Sequence, residues 1–260
     1  MALYQGFDHR RITSGPHDVA PGDDAAEDFV RTAEIGDGWL HPRSSNYTFV
    51  VELTDGVCHG FGVYKPERGE APLWDFGAGL YRRECAAYEL AKRLGWALVP
   101  PTVLRDGEAG PGSLQLFVAS GDDSNFFTIR ESHREELFRM AVFDMLVNNA
   151  DRKGGHCFLG PMGELLGVDH GLTFHSQDKL RTVIWEFAGS QVPDALLTDV
   201  KALRGLLCAD DESGVDALAT LTALISEREL DALRSRVGAI LANPVMPHPY
   251  SRHDIPYPPM

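Results

Sequence analysis

Cysteine is sparse in this chain: four residues, at 58, 85, 157 and 208, widely spaced and without a CxxC pair. That spacing indicates neither a disulfide framework nor a zinc knuckle, and the four read as buried thiols. Basic charge is also short, with 24 Lys and Arg against 38 Asp and Glu and a formal net charge of -14. Such a balance disfavours nucleic acid or an anionic membrane surface as the main partner, because both are held by basic patches. A Mg-nucleotide remains admissible, since the metal carries positive charge into an acidic site. No apolar run approaches the roughly 18–20 residues of a membrane span, and residues 1–6 lack the basic and apolar regions of a signal peptide. A cytoplasmic location is therefore expected. Repeats at a fixed period are missing too, which argues against a solenoid.

What is present is an ordinary globular composition, 43% hydrophobic and 24% charged over 260 residues, enough to bury a sizeable core. Residues 1–25 are polar and read as a flexible arm. Residues 244–260, with six prolines and two histidines, read as a surface-hugging tail rather than a metal tract. Between them, residues 47–53 and 57–65 are β-rich runs separated by Thr54-Asp55-Gly56, and Asp-Gly there predicts a hairpin. A helical pattern follows from Arg82 to Leu94, with Gly95 as its stop, and short strands are expected at 102–104 and 114–118. The second half is mostly helical. Ser132 with Glu135 predicts a capping box opening a helix to about Asn148, and Ser226 with Glu229 repeats the device. The expected fold class is α+β, with a β-rich N-lobe over 26–118 and a mainly helical C-lobe over 119–243.

The chemistry concentrates in residues 148–171. Asp151 follows the end of a helix, Arg152 and Lys153 add positive charge, and Gly154-Gly155 allow a tight turn before His156. A second hairpin, 156–159 and 164–168, would bring His156 and Asp169 close together, as a metal held between two strands requires. A hydroxyl attacks a nucleotide γ-phosphate only if it is positioned, deprotonated and shielded from phosphate charge, and two Asp residues with a polar group between them can supply this. Upstream, Lys65 ends the second β-run and Glu84 lies on the next helix, an arrangement that fixes a Lys against phosphates. Ser44, Ser45 and Asn46 before the first run read either as a turn or as donors over phosphates.

In order along the chain, Val63-Tyr64-Lys65-Pro66, Arg83-Glu84-Cys85-Ala86-Ala87-Tyr88, Val99-Pro100-Pro101-Thr102, residues 112–118, Asn149-Ala150-Asp151-Arg152 and Val168-Asp169-His170-Gly171-Leu172 resemble the phosphatidylinositol 3-/4-kinase-like atypical kinases. Type II phosphatidylinositol 4-kinases and their bacterial relatives are the most similar group. The resemblance implies a two-lobed protein-kinase-like fold and ATP with Mg²⁺ or Mn²⁺ as cofactors. It implies Lys65 on the nucleotide phosphates with Glu84 as ion-pair partner, and a hinge of Gln115, Leu116, Phe117 and Val118 that reads adenine through backbone groups. Asp151 would orient and deprotonate the acceptor hydroxyl, and Asp169 would hold the metal.

Two positions depart from the family pattern. His156 stands where relatives carry a metal-binding Asn; imidazole suits Mn²⁺ better than Mg²⁺, so direct ligation, a phosphate contact and a structural role all stay open. Lys153 stands where relatives have His or Gly, and either stabilises developing charge on the phosphoryl group or is simply solvated. The palmitoylated Cys-rich segment of the lipid kinases has no counterpart. The expected activity is therefore an ATP-dependent kinase acting on a hydroxyl of a soluble metabolite or protein, ahead of a phosphoinositide. A nucleotide-binding pseudokinase and an AMP transferase on the same fold are the alternatives.

Overall fold

A computed structural model describes Ile12 and residues 15–41, 46–120, 124–209 and 212–260. The chain divides into two compact units: residues 1–88 with 99–119, and residues 89–98 with 120–260.

In the first unit, beyond Ile12, helix α1 (Ala26–Thr32) is followed by strand β1 (Glu34–Leu40). Strands β2 (Phe49–Thr54) and β3 (His59–Pro66) then form the hairpin expected at Asp55-Gly56. Gly56 has φ +88, where a side chain is strained, and Asp55 Oδ1 accepts from the N–H groups of Val57 and Cys58. Helix α2 (Leu80–Arg93) starts in this unit and ends in the other; Gly95, at φ +68, stops it as the sequence predicted. Strands β4 (Thr102–Gly107) and β5 (Gly110–Leu116) close an antiparallel sheet in the order β1-β2-β3-β5-β4.

Both faces of that sheet are covered. Phe49, Val51 and Leu53 alternate along β2 onto the side where Phe29 and Val30 of α1 pack, joined by Tyr64, Leu114 and Leu116. Val50 faces the other way, with Trp39 and Phe61. Alternation of side chains across a strand produces this division. The α1–β1 stretch carries only a short, mixed pattern, and reading the sequence did not find it.

The second unit is helical apart from one hairpin. Short α3 (Phe126–Ile129) precedes α4 (Arg134–Val147), which is followed by strands β6 (Cys157–Leu159) and β7 (Leu165–Gly167), then α5 (Asp194–Cys208), α6 (Glu212–Thr222) and α7 (Glu227–Ala242). The box expected at Ser132 does not form. α4 begins two residues later with His133 at its N-cap, and the Ser132 hydroxyl donates to the Ile129 carbonyl instead. The box at Ser226 and Glu229 does form and opens α7. α4 is buried on most sides, through Leu137, Met140, Phe143, Leu146 and Val147, whereas α5 and α7 bury one stripe each. Residues 89–98 are tied to this unit by Trp96 Nε1 donating to Asp199 at 2.8 Å and by the Gly167 N–H donating to the Leu98 carbonyl.

Of the four cysteines, all free, only Cys85 and Cys157 are buried; Cys208 is exposed and Cys58 partly so. Burial pushes the Cys157 thiol up to about 12, which leaves it inert at neutral pH. No helix among the described residues is long and apolar enough to cross a membrane.

Candidate active site

In the first unit Lys65 leaves the end of β3 and its Nζ lies 2.5 Å from Glu84 Oε1. Glu84 is almost fully buried on α2 while Lys65 keeps about a quarter of its side chain exposed, so the pair holds the ammonium in place yet leaves it reachable. The backbone is tight here. A Cβ on Gly112 of β5 would lie 2.5 Å from the Lys65 carbonyl oxygen, so only glycine lets β5 run against β3 at that register.

The four hinge candidates are placed unequally. Gln115 is buried in β5 and its side chain donates to Thr102 Oγ1. The N–H groups of Leu116 and Phe117 already donate to the carbonyls of Pro101 and Phe61. The Val118 N–H meets no acceptor among the described residues. Asn46 accepts from the Ala71 N–H, which ties it to the segment after β3; Ser44 and Ser45 lie outside the described residues.

In the second unit, α4 ends on Asn148 in the left-handed conformation at φ 53. Its side chain bridges the segment beyond Asp169, donating to the carbonyls of His175 and Gln177 and accepting from the Lys179 N–H. Asn149 accepts from the Asp151 N–H through Oδ1 and donates to Asp144 Oδ1. These bonds fix the backbone on which Asp151 sits. The Asp151 carboxylate lies 3.0 Å from Lys153 Nζ, each side chain about a quarter exposed. Burial pushes the Asp151 carboxyl above its usual value; the hydrogen bond and charge of Lys153 pull it part of the way back.

Beyond β7, Asp169 has φ 61, a position a non-glycine residue rarely takes and one that costs on the order of 1–3 kcal/mol. Its carboxylate is half exposed, and Oδ2 stands 3.4 Å from His156 Nε2. On the other side of the ring, the Lys153 N–H points at Nδ1 over a long 3.4 Å. A neutral ring keeping that contact carries its proton on Nε2, facing Asp169. To bind metal through Nε2 it must shift the proton to Nδ1. Among the described residues no group of three or more His, Cys, Asp or Glu is placed to hold a metal. An oxygen and a nitrogen at this separation fit one divalent ion whose remaining ligands are phosphate or water oxygens, as Mg²⁺ and Mn²⁺ sites in phosphotransferases require.

Arg152 is the residue whose importance the sequence did not reveal. It is fully buried, with Nε and Nη2 on the equally buried carboxylate of Asp144 at 2.9–3.1 Å. Nη1 donates to the carbonyls of Val168 and His156, and Nη2 lies 2.7 Å from His170 Nε2. A guanidinium only donates, so His170 accepts at Nε2 and bears its proton on Nδ1. Burial works against the charge of Arg152, but Asp144 outweighs it and holds the guanidinium above its usual value. One side chain thus grips the loop after Asp151 and both neighbours of Asp169. Asp144 carries no motif signal; only its place one helical turn before Asn148 hints at a partner for Arg152. The tail reaches the same loop, the Gly154 N–H donating to the Pro259 carbonyl.

No family model matches the chain. Its sequence is 40% identical to Protein Rv2133c of Mycobacterium tuberculosis, in an alignment covering 83% of this chain and 88% of that protein. The chain belongs to the Rv2133c family. Among solved structures, hydra Fam20 with sugar is similar to this member of the Rv2133c family at a TM-score of 0.54 and 14% identity, over 85% of this chain and 88% of that one. The Golgi casein kinase with Mn/ADP bound is similar at a TM-score of 0.52 and 13% identity, over 85% and 76%. The Rv2133c-family chain therefore has a two-lobed, kinase-like α+β fold.

Proposed function

We propose that the chain is a metal-dependent ATP phosphotransferase that transfers the γ-phosphoryl group to a hydroxyl of a soluble metabolite or protein. The observation that carries this reading is the single buried grip of Arg152 on the Asp151 loop and on the Val168-Asp169-His170 segment. Phosphoryl transfer depends on holding a base and a metal-binding carboxylate in fixed relation, and a shared buried anchor does that.

In this reading Asp151 orients the acceptor hydroxyl and takes its proton. Lys153, ion-paired to Asp151, offsets charge on the transferring group in this reading. Lys65, fixed by Glu84, contacts nucleotide phosphates. The Val118 N–H, which meets no acceptor among the described residues, supports adenine readout at the end of the 115–118 segment. Asp169 and His156 are the residues to hold Mg²⁺ or Mn²⁺, which when bound supplies charge neutralisation at the phosphates. The motif order shared with phosphatidylinositol 3-/4-kinase-like enzymes supports the same roles. The net charge of -14 favours a soluble acceptor over an anionic bilayer lipid.

The test follows ATP by ³¹P NMR after incubation in Mg²⁺ and then Mn²⁺, each sample stripped of metal on a chelating resin before measurement, with and without a pool of hydroxyl-bearing acceptors. The expected result is metal-dependent loss of the γ signal and growth of ADP, abolished by Asp169→Ala. AMP as the product would replace this reading with nucleotidyl transfer, and metal-dependent binding of intact ATP under every condition would replace it with a pseudokinase.

A further inference from the structure

Within the second unit a pocket of about 860 Å³ is bordered by α7, residues 176–181 and residues 243–254 of the tail. None of the proposed catalytic or metal-binding residues lines it. Its charge runs against that of the chain. Lys179, Arg181 and Arg236 contribute three permanent cations, and His248 and His253 add two imidazoles. Two carboxylates oppose them, Asp178 and Asp254. Asp254 is already committed, since its Oδ2 accepts from the N–H groups of Tyr250 and Ser251 at 2.6 and 2.8 Å and caps the turn Arg252–Asp254.

Arg236 is the distinctive member. Its Nε donates to the Leu146 carbonyl at 2.8 Å and its Nη1 reaches the His175 carbonyl at 3.4 Å. Its Nη2 is buried without a hydrogen-bond partner, and among the described residues no carboxylate is ion-paired to it. Burial lowers it to about 10, so it stays charged at neutral pH. A guanidinium fixed by two carbonyls, with the charges of Asp178 and Glu229 acting on it but no carboxylate bonded to it, keeps a desolvation cost that an anion in the pocket would offset.

We propose that this pocket binds a phosphate-bearing small molecule, its phosphate held by Lys179, Arg181 and Arg236. Phosphate suits this site because it can take several charge-assisted hydrogen bonds from guanidinium and ammonium donors at once. Trp185 also lines the pocket, with its Nε1 donating to the Asp254 carbonyl, and offers an indole surface to the rest of the ligand. Lys179 and Arg181 connect the site to the catalytic loop. The Lys179 N–H donates to Asn148, the Arg181 N–H to the Asn149 carbonyl, and the Arg152 N–H to the Arg181 carbonyl.

The test is calorimetric titration of the full chain with inorganic phosphate, against sodium chloride at matched ionic strength. Saturable phosphate binding is expected, weakened at least fivefold by Lys179→Ala and by Arg181→Ala and unchanged by Lys201→Ala on the exposed face of α5. Both pocket variants spare Arg236, whose loss would also remove support from the end of α4. Asp169→Ala separates this site from the proposed nucleotide site and should bind phosphate as the wild type does. Phosphate affinity equal in wild type and both pocket variants, affinity lost in Asp169→Ala alone, or heats no different from chloride would overturn the proposal.

Discussion

Asp151→Asn is expected to slow γ-phosphoryl transfer by about 10²- to 10⁴-fold, the usual contribution of a general base, while nucleotide affinity stays as in the wild type. The substitution keeps the shape of the side chain and leaves the bond from the residue 151 N–H to Asn149 untouched, because that bond is made by the backbone. What it removes is the capacity to accept a proton. The pH profile carries a second signature of the same role. A base must be ionised to act, so kcat falls as pH drops through the Asp151 pKa, and burial has already moved that value upward. Lys153 holds it down, so Lys153→Ala should move the acid limb of kcat to higher pH. Turnover by Asp151→Asn within roughly tenfold of wild type, or an acid limb unmoved by Lys153→Ala, would remove Asp151 from the mechanism.

The largest effect on stability is expected from Arg152→Met. Breaking a buried ion pair by deleting one partner strands the other charge, at a cost of roughly 3–5 kcal/mol. Asp144 would be stranded in a site with no solvent exposure, and the carbonyls of Val168 and His156 would lose a donor. Equilibrium unfolding in urea should register the loss as a lower midpoint at an unchanged slope. Adding Asp144→Leu to Arg152→Met should recover much of the stability, since a buried pair replaced by apolar groups is often close to neutral. Activity should not return with it. The double variant still lacks the group that holds Val168, His156 and His170 in place, and Asp169 would have to sustain its φ of 61 without that support. A loss below about 1 kcal/mol for Arg152→Met would mean that Asp144 finds another partner and that the grip is not what orders the loop.

Local signals carried much of the fold. The Asp55-Gly56 hairpin, the helix stopped by Gly95 and the box at Ser226 each depend on a few adjacent residues, and each forms where its residues stand. The 156–168 hairpin was legible for the same reason, and it brings His156 and Asp169 to 3.4 Å. The box at Ser132 does not form; its hydroxyl donates instead to the Ile129 carbonyl of the preceding short helix, a partner created only once α3 forms. Strand β1 was not legible because Glu34-Ile35-Gly36-Asp37-Gly38 has little apolar alternation and gains its place by pairing with β2. Within the candidate site, the ionisable residues of chemistry-bearing motifs stood out, while Asp144 did not. A buried Asp in a helix looks like a surface residue in sequence, and only the three-dimensional placement of Arg152 identifies it as that residue's counter-ion.

The central claim is that Asp169 carries the divalent cation that serves phosphoryl transfer, with His156 beside it. Crystals grown with Mn²⁺ and ADP, measured at the manganese absorption edge, test it most directly. The account predicts one anomalous peak within coordinating distance of an Asp169 carboxylate oxygen, adjacent to His156 and lost in Asp169→Ala. A manganese peak elsewhere, with Asp169 and His156 still paired at 3.4 Å, would contradict it.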